Sequence, residues 1–122
     1  MTREEALFEF FNSFGIPGYP TGSVPYETQY PWLTYDAPEG NWGDSSTQTA
    51  TIDLWYHTES NALPNAKADE IRQRIGIGGC LIHYEGGAIW LKRGTPWCNT
   101  IVDSADDAIK RRQLNIEIED WQ

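Results

Sequence analysis

The chain has 122 residues, of which 39% are hydrophobic and 13% aromatic, and its 18 acidic side chains outnumber 9 basic ones to give a net charge of −9. The six tryptophans exclude a disordered chain, because disordered segments are poor in aromatic residues. The negative charge argues against tight binding to nucleic acid and disfavours an anionic membrane surface, since both attract positive side chains. This length predicts one folded domain over residues 1–122.

The first residues predict a helix rather than a targeting signal. Thr2 and Glu5 have the spacing of a capping box, and Gly15 and Pro17 are typical of a helix end. Between them the apolar residues recur on one helical face: Leu7, Phe10, Phe11 and Phe14. The segment lacks a basic region followed by an apolar run, so we expect no signal peptide and a protein made and used in a cytoplasm.

The next part of the chain predicts an irregular connection followed by two strands. Residues 16–31 are rich in proline, with a short edge strand near residues 23–25. Residues 32–35 and residues 47–58 have strand patterns, separated by a polar loop. In the longer strand, one face carries Ala50, Ile52, Leu54 and Tyr56, and the other carries Thr49, Thr51, Asp53, Trp55 and His57.

The second half predicts one helix and three strands. The helix begins near Leu63, and the glycines of residues 76–79 end it. Residues 80–84 and 88–92 form a hairpin around Gly86-Gly87, a pair suited to a tight turn. A break at residues 95–97 and an acidic patch (Asp103, Asp106, Asp107) then precede a final strand that contains Leu114, Ile116 and Ile118. The predicted order is α-β-β-α-β-β-β, an α+β domain with a mostly antiparallel sheet flanked by two helices.

The sequence contains no strong signal for a metal site. The glycines of residues 76–79 follow a helix, whereas a phosphate loop precedes one. Cys80, His83 and Cys98, with His57, could in principle bind zinc, but their spacing matches no usual pattern. His83 also faces away from Cys80 if both lie on one strand. We therefore expect buried thiols, no metal and no cofactor.

A catalytic centre is also not indicated. Asp53 and His57 share a strand face but lie about 13 Å apart along the strand, too far for a base and the residue that orients it. The acidic patch is typical of a solvated turn. We therefore predict that the chain is not an enzyme.

The tryptophans and the basic residues leave two interpretations open. Trp55 and Trp121 fall on the polar faces of their strands and Trp42 falls in a polar loop, so they either cover local apolar patches or are buried by other subunits. Trp32, Trp90 and Trp97 are expected in the core or at its edge. The basic residues concentrate in Lys110-Arg111-Arg112 and in Lys92-Arg93. They form either a solvated face or a contact with an acidic patch of a neighbouring subunit.

Several segments together carry a family resemblance. They are Tyr30-Pro31-Trp32-Leu33-Thr34-Tyr35, Gly40-Asn41-Trp42-Gly43-Asp44, Leu54-Trp55-Tyr56-His57-Thr58-Glu59, Pro64-Asn65-Ala66-Lys67-Ala68, Trp90-Leu91-Lys92-Arg93-Gly94-Thr95-Pro96-Trp97-Cys98, Ile109-Lys110-Arg111-Arg112 and Leu114-Asn115-Ile116. In these segments the chain resembles the small tail-completion proteins of long-tailed bacteriophages and prophages, above all the tail terminators. The segments are structural motifs rather than catalytic signatures.

The resemblance implies a structural protein of the virion tail or neck, assembled in the cytoplasm of the bacterial host. Tail terminators form a homo-oligomeric ring, commonly a hexamer, that caps the tail tube, ends its polymerisation and contacts a head-completion or connector protein. DNA passes through such a ring without specific binding, and an acidic lumen repels it. No catalytic residue is carried over. The candidate interface residues are Trp42, Asp44, Trp55, Arg93, Arg111 and Arg112.

Two other functions remain open at this point. Another head–tail connector or head-completion protein shares the size and the phage context. A carbohydrate-binding module would use exposed tryptophan and tyrosine rings as stacking platforms, although the sequence shows neither a secretion signal nor a clear aromatic groove.

Overall fold

The computed structural model describes residues 1–38 and 47–121, which fold into two helices and one six-stranded sheet. The elements are α1 (Arg3–Phe11), β1 (Gly18–Pro20), β2 (Trp32–Tyr35), β3 (Gln48–His57), α2 (Ala62–Ile75), β4 (Cys80–Tyr84), β5 (Gly87–Val102) and β6 (Ile109–Trp121). The spatial order is β1-β2-β3-β6-β5-β4, and every pair except β1 with β2 is antiparallel. The predicted α+β class is confirmed.

Both helices begin close to the predicted positions, and α2 ends at the predicted glycines. However, α1 ends at Phe11, before the predicted Phe14 and Gly15, because the Asn12 side chain bonds to the Phe8 carbonyl oxygen and to Gly18. The Thr2 hydroxyl accepts from the Glu5 amide and the Glu5 carboxylate accepts from the Thr2 amide, so the capping box is present. Gly76 follows α2 with a φ of 79°, a conformation that glycine adopts without strain. Within the described residues, neither helix is long and apolar enough to cross a bilayer.

The prediction for the connection after α1 was wrong in one detail. The edge strand lies at Gly18–Pro20 rather than near residues 23–25, so the order is α-β-β-β-α-β-β-β. The reason is steric: a Cβ at Gly18 would stand 2.7 Å from the Phe11 carbonyl oxygen, and only glycine lets the strand pass this close to α1. Asn12 fixes the approach, because its side chain both donates to the Gly18 carbonyl and accepts from the Gly18 amide.

The predicted break at residues 95–97 is instead a bulge inside one long strand. β5 pairs with β6 on both sides of a register shift between Arg93 and Cys98, while β4 pairs only with Gly87–Leu91. The bulge absorbs the extra residues, and Asn115 donates to the Pro96 carbonyl oxygen within it. The hairpin that joins β4 to β5 is confirmed, with Gly86 at a φ of 95° in its turn.

Both helices pack against the same face of the sheet and form the core with it. The predicted inward residues of β3 are buried there, as are Leu114, Ile116 and Ile118 of β6. α1 contributes Leu7 and Phe11, and α2 contributes Ile71 and Ile75. The opposite face of the sheet carries no helix of the described residues, and the candidate site lies there.

Candidate functional site: the helix-free face of the sheet

The face of the sheet opposite the helices is formed by the strand residues that alternate with the core. We call it the open face. Its larger side chains include Trp32, Trp55, Leu81, Trp90, Arg111 and Trp121. The sequence correctly assigned Trp55 and Trp121 to this face, but Trp32 and Trp90, which were expected in the core or at its edge, are half-buried on this face instead. Trp97 packs against the core as predicted.

At one end of the open face, strand pairing places three large side chains in a row. Trp32 is opposite Trp55, and Trp55 is opposite Arg111. The two indole rings lie 6.2 Å apart and nearly parallel, and the Arg111 guanidinium carbon lies 4.5 Å from the Trp55 ring centroid. The Tyr30 ring continues the row at 4.3 Å from Trp32. Rings and a guanidinium stacked in this way form a rigid surface that is partly apolar.

A buried carboxylate holds Arg111 in this row. Asp53 is 8% exposed, and its Oδ1 lies 3.3 Å from Arg111 Nη2. Burial raises the pKa of the Asp53 carboxyl, and the charge and hydrogen bond of Arg111 oppose that rise. Trp55 is fixed as well, because its Nε1 donates to the Thr34 hydroxyl. Contacts between neighbouring strands therefore hold the Trp55 and Arg111 side chains in fixed positions at this end of the open face.

Arg111→Gln is expected to lower the free energy of unfolding by about 1–3 kcal/mol at neutral pH, because it leaves the buried Asp53 carboxylate without its charged partner. The same loss raises the pKa of Asp53 further above its unfolded value. The folded variant is therefore stabilised by proton uptake in acid, and this contribution is lost as the pH rises through the folded pKa.

Urea unfolding in mildly acidic and in neutral buffer measures this effect. The difference in free energy of unfolding between Arg111→Gln and wild type should be smaller in acid. Asp53→Asn combined with Arg111→Gln is the control, because it removes the titrating group and should cost the same relative to Asp53→Asn at both pH values. An equal cost of Arg111→Gln at both pH values would contradict the coupling.

The other end of the open face has a second aromatic pair. Trp90 and Trp121 meet edge to face at 5.6 Å, and Lys92 Nζ lies 4.5 Å from the Trp90 ring centroid. Lys92 also lies 3.7 Å from the Glu119 carboxylate. Trp121 is 47% exposed, and the apolar side chain of Leu81, on the same face, is 48% exposed. Each end of the face thus combines exposed apolar area with one basic side chain.

The charges on the open face nearly cancel. Its strands carry the basic Lys92 and Arg111 against the acidic Asp53, Glu117 and Glu119, a net charge of −1 in a chain of −9. Most of the negative charge therefore lies elsewhere on the molecule. A nearly neutral surface with exposed aromatic rings matches the composition of protein interfaces better than that of a nucleic-acid site.

His57 stands beside the aromatic row but does not pair with Asp53. Its Nε2 lies 3.0 Å from Asp106 Oδ2, and its ring lies 5.6 Å from that of Tyr30. The amide of Ala108 and then His57 lower the pKa of the Asp106 carboxyl. The sequence missed this pair, because the acidic patch predicted only a solvated turn. The contact ties the turn between β5 and β6 to the end of β3.

The other predicted interface residues lie apart from the open face. Arg112 is 3% exposed on the helix side, where it donates to the side-chain oxygens of Asn61 and Asn65 at the start of α2. Arg93 points to the same side and donates to the Arg72 carbonyl oxygen near the end of α2. These two arginines anchor α2 on the sheet. Of the six candidates, the structure brings together only Trp55 and Arg111, and Trp42 and Asp44 lie outside the described residues.

No family model, curated protein or solved structure matches this chain significantly. Within residues 1–38 and 47–121, no group of three or more His, Cys, Asp or Glu side chains is placed to hold a metal ion. Cys80 and Cys98 are free thiols, and burial raises the pKa of both.

Proposed function

We propose that this chain is a structural subunit of a long-tailed bacteriophage or prophage, and that it forms a ring that caps the tail tube. The ring ends polymerisation of the tube and offers its far side to a head-completion or connector protein. Such a cap needs a surface for its neighbours in the ring and a different surface for the tube.

The observation that carries this proposal is the position of the family-like segments on the open face. Trp32, Trp55, Trp90 and Arg111 come from four of the segments that resemble tail terminators, and all four side chains lie on this one face. Their rings are only partly covered within the chain. A subunit of an assembly uses such a surface to bind other subunits, because aromatic and arginine side chains dominate interface centres.

The charge distribution supports a contact through the open face. Copies of a chain with a net charge of −9 repel one another over most of their surfaces. The open face is nearly neutral, so a contact made there brings little like charge together. The remaining acidic surface is suited to a channel through which DNA passes without binding.

Deletion of the gene from its phage or prophage tests the proposal by electron microscopy of the resulting particles. We expect tail tubes of uncontrolled length that are not attached to heads, and restoration of normal tails by the wild-type gene. Tails of normal length beside unjoined heads would indicate a head-completion or connector protein instead. Normal infectious particles would contradict an assembly role.

A matched pair of variants connects this experiment to the open face. Trp121→Ala removes an exposed ring of the face, and Tyr26→Ala removes a ring that is 97% exposed outside it. Neither residue belongs to the buried core, so both variants should fold. We expect Trp121→Ala to complement the deletion at least about tenfold less well than Tyr26→Ala, the loss typical of an interface tryptophan. Equal complementation would remove the open face from the proposal.

A further inference from the structure

β4 covers less than half of the long strand beside it and leaves a step in the edge of the sheet. β4 pairs with Gly87–Leu91, whereas β5 continues to Val102 and pairs there only with β6. Beyond the bulge, residues 98–102 therefore have β6 on one side and no strand of the described residues on the other. Backbone amides and carbonyls at such an edge can bind a further strand.

Two segments on the same edge of the sheet have no neighbouring strand among the described residues, although the Met1 carbonyl oxygen accepts from the Glu85 amide just after β4. One is the outer edge of β4, residues 80–84, and the other is residues 98–102 of β5. Each has five residues, and neither contains Pro, Asp, Glu, Lys or Arg, although the β4 segment includes His83. The opposite edge of the sheet is blunted, because β1 has only three residues and ends at Pro20. On the stepped edge the bulge and Pro96 lie between the two segments, whereas the segments themselves are longer than β1 and contain no proline.

We propose that two copies of this chain pair through these steps about a two-fold axis perpendicular to the sheet. The β4 strand of each copy occupies the empty strand position next to residues 98–102 of the other copy. The bulge of β5 lies near the two-fold axis. Such an axis reverses the strand direction, so β4 runs parallel to the β5 segment that it joins. One operation fills both vacancies and forms a continuous sheet of two copies.

The register of the two segments follows from the symmetry. Within one copy Cys80 is opposite Leu91 and Tyr84 is opposite Gly87. The two-fold operation that centres β4 on the vacant segment places Cys80 beside Cys98 of the second copy and Tyr84 beside Val102. Side chains then match by face, because Cys80 and Cys98 both point to the helix side and the residues after them, Leu81 and Asn99, both point to the open face.

The exposure of nearby apolar residues agrees with this contact. Val102 is 79% exposed at the end of the bare segment, and Ile77 is 96% exposed in the turn that leads into β4. The absence of Asp, Glu, Lys and Arg from both segments also favours a second copy of this acidic chain as the occupant, since a contact made there brings no carboxylates together.

This two-fold contact goes beyond the proposed ring. A two-fold contact closes on itself, whereas a ring of six subunits requires a contact between different surfaces. The dimer therefore belongs to the unassembled subunit, where it covers an edge that would otherwise aggregate. The dimer is tested with the purified chain alone. A monomeric chain would therefore leave the proposed tail function intact, and normal tails after gene deletion would leave the dimer intact.

Disulfide trapping tests the register directly. Neighbouring strands lie about 4.8 Å apart, within the range of about 4.4–6.8 Å between Cα atoms that a disulfide spans. Each link removes two protons and two electrons from two thiols and transfers them to diamide, which is reduced to the hydrazine. We expect diamide to convert the purified chain to a covalent dimer, seen on a non-reducing gel at twice the 13.9 kDa of one chain.

A mixing experiment separates this link from other thiol chemistry. Cys80→Ser and Cys98→Ser should each give no covalent dimer when oxidised alone, and an equimolar mixture should give one, because only the mixture joins Cys80 of one copy to Cys98 of the other. Links within either single variant, or none in the mixture, would overturn the register.

Sedimentation equilibrium of the reduced chain tests the dimer without any disulfide. Val102→Lys places a charge at the proposed contact and should raise the dimer dissociation constant at least about tenfold, since a charge buried without a partner is costly. Tyr26→Lys adds the same charge at an exposed aromatic residue far from the step and should leave the dissociation constant unchanged. A wild-type chain that remains monomeric, or a dimer equally stable in both variants, would overturn the proposal. An increase in the sedimenting mass only when an extended peptide is added would show that the edge binds a strand of another protein instead.

Discussion

Arg3→Met is expected to lower the free energy of unfolding by about 3–5 kcal/mol, the usual cost of leaving one charge of a buried ion pair without its partner. Arg3 and Asp120 each have side chains that are only 8% exposed, with 2.8 Å between Arg3 Nε and Asp120 Oδ1. A second bond joins Arg3 Nη2 to the other carboxylate oxygen at 3.2 Å, and Arg3 also donates to the carbonyl oxygens of Ala37 and Pro38. The substitution therefore breaks four hydrogen bonds and removes the positive charge that faces the Asp120 carboxylate.

The double variant Arg3→Met with Asp120→Leu is the control for this prediction. Apolar side chains of similar volume often replace a buried ion pair with little loss of stability, so the double variant should recover most of the free energy of unfolding. Chemical denaturation followed by tryptophan fluorescence measures all three proteins. If the double variant is no more stable than Arg3→Met, the cost arises from the lost backbone contacts rather than from the unpaired charge.

Phe11→Ala is the second substitution with a large expected effect, a loss of about 3–5 kcal/mol in the free energy of unfolding. Phe11 has no exposed area, and its ring stacks on Tyr35 at 4.3 Å. Truncation leaves a cavity between α1 and β2 that these elements cannot close, because Gly18 already contacts the Phe11 backbone closely.

Phe8→Ala provides the matched comparison on the same helix. Phe8 is 47% exposed, so its truncation should change the free energy of unfolding by less than about 0.5 kcal/mol. Both substitutions change the helix propensity in the same way, so the difference between them isolates the burial of the ring. Similar losses in the two variants would mean that α1 does not pack as described.

The sequence predicted the parts of this fold that depend on local patterns. Alternation along β3 and β6 placed the core residues correctly, the capping box marked the start of α1, and the glycines marked the end of α2, whereas α1 ends at Phe11 and not at Gly15. It did not predict β1, because a three-residue parallel strand has no periodicity of its own and exists only through its contact with β2. It also took the bulge of β5 for a break, since Gly94 and Pro96 read locally as a turn.

The candidate site was predictable only in part, for a related reason. The alternation along one strand assigns Trp55 to the open face, but the identity of its neighbours depends on which strands pair. Arg111 reaches Trp55 because β6 pairs with β3, and no local sequence pattern predicts this pairing. The same topology turns Arg112 inward to α2, so a basic run that looks uniform in the sequence divides between two faces.

The position of β6 in the sheet has a consequence for synthesis of the chain. β6 lies between β3 and β5, although it is the last of the six strands to be translated. While the ribosome adds residues 58–108, β3 and β5 have no strand to join them. The two halves of the sheet can therefore pair only after β6 has emerged from the ribosome. A nascent chain that stalls earlier exposes the unpaired edges of β3 and β5 to chaperones and proteases.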